Sequence, residues 1–208
     1  MKVTVVGSGN MAAGFAKRLV AAGHDVRLVG RNRGKVEALA AETGASAVAA
    51  VEGGASDVII VATPFDGAVD ALKSLGDVSG KVVVDITNPL TADYMGLTIG
   101  HDTSAAEEIA KALPGVRLVK GFNTLFAQVL AAGPKLADGS VPPVFLAADD
   151  AGAKAKVADL AKSLGHPVVD AGPLRNARYL EPLAGLNIYL GYGAGLGTAV
   201  APAWLPLA

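Results

Sequence analysis

Val3-Thr4-Val5-Val6-Gly7-Ser8-Gly9-Asn10-Met11-Ala12 opens the chain with a β-branched apolar run that breaks into Gly-x-Gly-x-x-Ala and then into a helix-like stretch. No other segment constrains the fold as much, because strand, glycine turn and helix in succession form the first unit of a doubly wound α/β domain. Gly7 permits the tight turn, and Gly9 lets the backbone approach a pyrophosphate without a Cβ in the way. Ala12 stands where a third small residue lets helix and strand pack closely. The free amides at the helix start then point at the phosphates and, with the helix dipole, form an anion site.

The end of the second strand, Asp25-Val26-Arg27-Leu28-Val29, selects the dinucleotide. A site for NAD places Asp or Glu there to accept hydrogen bonds from the ribose 2′-hydroxyl. This chain has Gly30-Arg31-Asn32 instead, with Arg33 and Lys35 following and no carboxylate. A guanidinium matches a phosphate bidentately and a lysine supplies a point charge. The loop therefore reads as a clamp for a 2′-phosphate, and NADP(H) is favoured over NAD(H).

The rest of the chain repeats the first unit's alternation. Short apolar runs are expected as strands over about 2–6, 25–29, 45–48, 57–62, 81–86, 116–120, 143–147 and 167–170, separated by alanine-rich helical stretches. The first helix is expected from Asn10 to Ala22 with Gly23 as its stop, and the second from Arg33 to Glu42 with Gly44 as its stop. Ser104 with Glu107 looks like a capping box for a helix ending before Pro114. Gly133 to Pro143 is a loop rich in turn formers, and the two strands beyond it are expected to extend the sheet. This is an α/β, doubly wound, mainly parallel sheet of the Rossmann type: one NADP-binding domain over 1–208 with a short C-terminal helical extension over 171–208.

With 208 residues, a large second domain does not fit. Eighteen basic residues against 19 acidic ones leave no sequence-wide field for nucleic acid or a membrane surface. The absence of cysteine excludes disulfides, thiolate metal sites and cysteine nucleophiles. Met1-Lys2 runs straight into the first strand, so a cytoplasmic location is the expectation. From Leu183 to Ala208 no charged residue occurs, yet Gly185, Gly191, Gly193, Gly195 and Gly197 alternate with polar residues, and Pro202 and Pro206 interrupt the end. A helix or loop buried against a second ring system or a second subunit explains this run better than a membrane span. Leu183, Leu186, Ile188, Tyr189 and Leu190 form a candidate homodimer face.

Ligands of doubly wound sheets lie beyond the carboxyl ends of the strands. Ala62-Thr63-Pro64-Phe65, Asp85-Ile86-Thr87-Asn88-Pro89-Leu90 and Gly121-Phe122-Asn123-Thr124 follow the fourth, fifth and sixth strands. Asn88 and Asn123 carry amides able to bond a carboxamide or an incoming cofactor; the alternative for each is a turn former satisfying its own backbone. No acid/base constellation and no metal-ligand spacing is present, so no catalytic residue or metal site is assigned. His24 and His166 read as structural residues at helix-to-strand joins, while His101 lies in a loop near the expected nicotinamide. Reduction of a carbonyl calls for a proton donor, whereas hydride transfer to a flavin-like ring asks mainly for ring-on-ring positioning.

Gly-Ser-Gly-Asn-Met-Ala, Val29-Gly30-Arg31-Asn32, Val84 to Leu90, Ser104 to Glu108, Val119 to Thr124 and Pro173 to Arg178 occur in an order that resembles the NADPH-dependent coenzyme F-420 reductase (F-420:NADP oxidoreductase) family. The chain is also similar to the cytosolic NADPH-binding domain of the six-transmembrane metalloreductases. The resemblance implies that Ser8, Asn10 and Met11 contact the pyrophosphate, that Arg31 and Lys35 hold the 2′-phosphate, and that Thr63 and Pro64 line the nicotinamide side. It places Asn88, Pro89 and Asn123 near the nicotinamide and the second ring. The family often has Ser where Gly30 stands, so one phosphate ligand is lost. The expected activity is hydride exchange between NADP(H) and coenzyme F-420, FMN or FAD as co-substrate. The alternatives are an imine or carbonyl reductase of the pyrroline-carboxylate or hydroxyacid type, which needs a helical domain of ~100 residues more, and a non-catalytic NADP(H)-binding redox module.

Overall fold

The structure is a computed structural model describing residues 1–133 and 135–204. Pro206 and the end of the expected extension lie outside the described residues, as does residue 134 of the Gly133 to Pro143 loop. The elements run β1 (Lys2–Val6), α1 (Asn10–Ala21), β2 (Asp25–Val29), α2 (Arg33–Thr43), β3 (Ser46–Ala47), α3 (Ala50–Gly53), β4 (Val58–Val61), α4 (Ala68–Lys73), β5 (Val82–Asp85) and α5 (Ala105–Ala112). They continue through β6 (Arg117–Lys120), α6 (Ala127–Ala132), β7 (Val144–Leu146), α7 (Ala151–Ser163), β8 (Val168–Asp170) and α8 (Ala177–Ile188).

Six parallel strands form one sheet in the order β3-β2-β1-β4-β5-β6. Both faces are covered, which is why Val58-Ile59-Ile60-Val61 is buried at all four positions rather than alternating. Val58 and Ile60 pack into one apolar cluster with Phe15, Leu19 and Leu130, while Ile59 and Val61 pack into the other with Leu72 and Ile109. Glycines end the first two helices as the sequence predicts: Gly23 and Gly44 follow α1 and α2 at φ of 80° and 78°.

Two local expectations change. Strands β7 and β8 form their own two-stranded parallel sheet, whose backbone hydrogen bonding to the main one is, among the described residues, the antiparallel bridge between Lys120 and Ala147. The chain leaves β6 through Gly121 and Phe122, and Phe122 has φ of 60°, which ends the ladder there. The capping box at Ser104 is half made. Ser104 Oγ accepts from the Glu107 amide, but the Glu107 carboxylate turns to Ser104 Oγ and to Arg178. A carboxylate from α8 takes over the helix end: Glu181 accepts from the Ala105 and Ala106 amides at 2.8 and 3.2 Å.

Candidate functional site

Parallel register brings the loops together. Val29, Val6, Val61, Asp85 and Lys120 form one row across β2, β1, β4, β5 and β6. The segments beginning at Gly30, Gly7, Ala62, Ile86 and Gly121 therefore leave the sheet at one level, on its carboxyl edge.

In the β1–α1 turn, Gly7 has φ of 141°, and a Cβ there would stand 2.3 Å from the Ala62 carbonyl oxygen. Gly7 is demanded by the protein itself. Gly9 is the N-cap of α1, with no side chain to bond the helix amides, and a Cβ there would meet nothing within 4 Å. The first helical bond comes from Ala13 to Gly9, so the amides of Asn10, Met11 and Ala12 have no protein partner among the described residues. A twelve-residue helix thus aims three unpaired N–H groups and its positive end at open space. Ala12 is buried in the core; at Gly14, one turn on, a Cβ would lie 3.3 Å from Leu130 of α6, so small residues bring the two helices close.

The basic loop divides into residues engaged within the protein and residues that are not. Asn32 accepts from the Lys35 amide and caps α2, and Arg33 binds Glu37 at 2.7 Å. Arg31 and Lys35 are exposed and make no ion pair among the described residues. At Gly30, a Cβ would lie 2.9 Å from Cγ2 of buried Val36. A serine there is disfavoured by that stiff neighbour.

Between the α1 turn and α8 lies a cavity of about 260 Å³. Asn10, Met11, Asn88, Asn123, Tyr94 and Tyr192 are among its walls, together with Phe126, Gln128 and Asn187. None of its lining residues is Asp, Glu, His, Lys or Arg. Asn88 and Asn123 meet: each side-chain Nδ2 donates across at 3.0 Å, to the Asn123 carbonyl and to Asn88 Oδ1, and Asn123 also donates to the Leu180 carbonyl. That leaves Asn123 Oδ1 buried without a donor among the described residues, as Thr63 Oγ1, Thr87 Oγ1 and Thr124 Oγ1 are without partners among them. Buried polar atoms are normally bonded, so orphans concentrated after β4, β5 and β6 make this edge the candidate ligand site. Ala62, Thr63 and Pro64 lie on the same edge outside this cavity's wall, as do Ser8 and Pro89. Phe126 and Tyr192 meet edge to face at 5.6 Å and give the cavity an aromatic side.

Behind the cavity lies a charge cluster that the sequence reading missed. Lys120, fully buried, donates to Asp85 at 2.9 Å and to the Thr87 carbonyl, and pairs with Glu181 at 2.8 Å. Burial disfavours the Lys120 ammonium, but the two carboxylates outweigh it and hold its pKa above the ordinary lysine value. Asp85 also accepts from the Thr87 amide, so the cluster clamps the start of the loop carrying Asn88. A sequence signal existed: two apolar strands end in opposite charges, and their register makes Asp85 and Lys120 neighbours.

The histidines lie apart. His24 bonds the N-terminus and Ser163, and His166 is buried on the Pro142 carbonyl with its pKa pushed down by burial. His101 lines a different, larger cavity rather than the one facing the α1 turn. Among the described residues no cluster of metal-binding side chains occurs, and no helix is long and apolar enough to cross a membrane.

Comparison with known proteins follows this geometry. The family model described as "NADP oxidoreductase coenzyme F420-dependent" matches residues 2–89, from β1 through Pro89. A crystal structure from Arthrobacter sp. FB24, provisionally described as an F420-dependent NADP-reductase, is 30% identical with a TM-score of 0.84, covering 95% of this chain and 96% of that one. Metalloreductase STEAP3 of Rattus norvegicus is 33% identical over 183 residues, 88% of this chain. The chain spans only about a third of that relative's length, 36%. An imine reductase from Pseudomonas sp. is 23% identical with a TM-score of 0.67 and is covered over 62% of its own length, a likeness of fold alone.

Proposed function

The chain belongs to the coenzyme F420-dependent NADP oxidoreductase family, and on that footing we propose that it transfers hydride between NADP(H) and a deazaflavin or flavin ring. The observation that carries this reading is the cavity facing the α1 turn, which is ring-sized, walled by amides and aromatic side chains, and lined by no carboxylate, imidazole, ammonium or guanidinium. Such a site positions flat rings by contact, and its only ionisable side chains are the phenols of Tyr94 and Tyr192.

In this reading the amides of Asn10 to Ala12 bind the pyrophosphate, with Gly7 to Gly9 shaping the turn. Arg31 and Lys35 take the 2′-phosphate. Ala62, Thr63 and Pro64 border the nicotinamide ribose, and Asn88, Pro89 and Asn123 meet the nicotinamide, Asn123 Oδ1 accepting from its carboxamide N–H. The nicotinamide supplies the hydride, and solvent supplies the proton that completes reduction of the acceptor ring. Residues 1–208 act as one NADP-binding unit in the cytoplasm, with Ala184, Asn187, Ile188 and Tyr192 of the C-terminal segment on the wall of the ring cavity. Exposed Leu186, Tyr189, Tyr192 and Leu196 favour a homodimer; a monomeric mass by light scattering removes that part.

Anaerobic mixing with NADPH and, in turn, coenzyme F-420, FMN and FAD tests the activity. NADPH oxidation with at least one is expected, and oxidation with none of them, but with a cyclic imine, replaces this reading by imine reduction. In the same assay Arg31→Ala is expected to raise KM for NADPH about 10- to 100-fold, the worth of a charge-assisted phosphate contact. KM for NADH should barely move, because NADH has no group at that position.

A further inference from the structure

Among the described residues, three non-glycine positions have backbone at positive φ: Tyr94 at 64°, His101 at 60° and Phe122 at 60°. Bulky residues rarely adopt that conformation, and those that do cluster where a ligand is held. Phe122 has a packing reason, since it is fully buried with its ring 5.1 Å from that of Phe15. His101 lines the other, larger cavity. Tyr94 is 62% exposed, so no burial offsets its strain. It stands on the wall of the cavity beside the α1 turn, together with Asn88, Leu90, Phe126 and Tyr192.

The segment 91–97 holds Tyr94 there with its own hydrogen bonds. The Thr91 amide donates to the Gly96 carbonyl and the Gly96 amide to Thr91 Oγ1, both at 2.9 Å. The Tyr94 amide donates to the Thr91 carbonyl at 2.9 Å, and the Asp93 carboxylate accepts from the Thr91 hydroxyl and the Met95 amide. An antiparallel bridge between Leu90 and Leu97 fastens the segment to the loop carrying Asn88. It rests on α8 and the turn after it at two glycines. A Cβ on Gly185 would lie 3.5 Å from Leu97, and one on Gly193 would lie 3.2 Å from Met95 Sδ. A segment bonded in this way is a fixed strap, and it presents one exposed aromatic ring to the cavity.

We propose that Tyr94 is a specificity-determining residue for the acceptor, its ring stacking on the flat conjugated ring that receives the hydride. The proposal rests on the reading of this cavity as the ring site. The dinucleotide enters from the α1 turn, whereas the strap rests on the α8 side, so the ring that Tyr94 meets is the second one. An aromatic side chain gains from offset stacking on such a ring and has few rotatable bonds to immobilise. The aromatic face does this, and the phenol oxygen is not needed for it.

The test uses Tyr94→Gly and Tyr94→Asn, two replacements that accept positive φ, beside Tyr94→Phe. Both of the first pair are expected to unfold at the wild-type midpoint or above it, because strain is relieved and no buried contact is lost. Their KM for FMN or coenzyme F-420 should rise at least about tenfold, while KM for NADPH stays within about twofold. Tyr94→Phe should keep the wild-type KM for the acceptor. An unchanged acceptor KM in the first pair overturns the proposal, as does a Tyr94→Phe variant equally impaired. A KM that rises only together with a lowered midpoint in both variants makes Tyr94 a folding residue and also overturns it. Fluorescence titration of FMN and of coenzyme F-420 without NADPH reads binding alone. Binding that depends on Tyr94 without turnover upholds the stacking role while the hydride-transfer reading fails. Turnover indifferent to Tyr94 leaves hydride transfer standing and overturns the stacking role, and so does the binding of neither ring.

Discussion

Lys120→Met is expected to destabilise the protein by about 3–5 kcal/mol, seen as a lower denaturant midpoint at an unchanged slope. The size follows from what remains. Asp85 and Glu181 are both buried around the vacated ammonium, and two uncompensated carboxylates in one dry site are far costlier than the loss of one contact. The triple variant Lys120→Met, Asp85→Asn, Glu181→Gln is expected to recover much of the loss, since no buried charge is left. No recovery would overturn the account of the loss as unpaired buried carboxylates. The wild-type contribution has a definite pH range. The folded pKa of Lys120 is raised, so the stabilisation is complete at neutral pH and is lost only as pH rises through that raised value, above 10.5. Because the cluster clamps Thr87, the variant should also lose kcat beyond its loss of folded protein.

Gly7→Ala and Gly9→Ala are expected to separate two roles that the glycine motif merges. At Gly7 the new methyl carbon would lie 2.3 Å from a carbonyl oxygen on a backbone with φ of 141°. Strain and overpacking together place the cost at about 2–5 kcal/mol, with NADPH binding lost as the turn shifts. At Gly9 the methyl carbon meets nothing within 4 Å, at φ of −90°. The unfolding midpoint of Gly9→Ala should therefore stay within about 0.5 kcal/mol of wild type. Its Kd for NADPH should nevertheless rise at least about tenfold, if a pyrophosphate occupies that space. An unchanged Kd would mean that the open space over the α1 N-terminus does not hold the dinucleotide.

The sequence by itself determined what depends on neighbours in the chain. The central strands, the glycine stops of α1 and α2, and the turn between β1 and α1 were readable because burial on both faces, positive φ and close backbone approach select residue types at fixed local spacing. The preference for a 2′-phosphate was readable too, from a basic loop lacking a carboxylate. Its division of labour was not: Arg31 and Arg33 look alike in the chain, and only Glu37 one helical turn away removes Arg33 from the ligand set. Asn32 caps α2 through its Oδ1, a role the local spacing did not assign to it.

Tertiary structure alone decided the make-up of the cavity between the α1 turn and α8. Tyr94, Phe126, Asn187 and Tyr192 come to one cavity with Asn10 from separate stretches of chain, with no common period to mark them. Asn88 and Asn123 each read as a ligand or a turn former, and the fold makes them partners of one another while leaving one carbonyl oxygen free. Glu181 lies in α8, far along the chain from the Lys120 and α5 amides it serves. A buried charge is tolerated only where distant partners converge, and that convergence is set by sheet register and the return of α8 across the sheet edge. The local chain therefore determined a dinucleotide turn and its phosphate preference, while the packing of remote elements decided which side chains wall the cavity beside that turn.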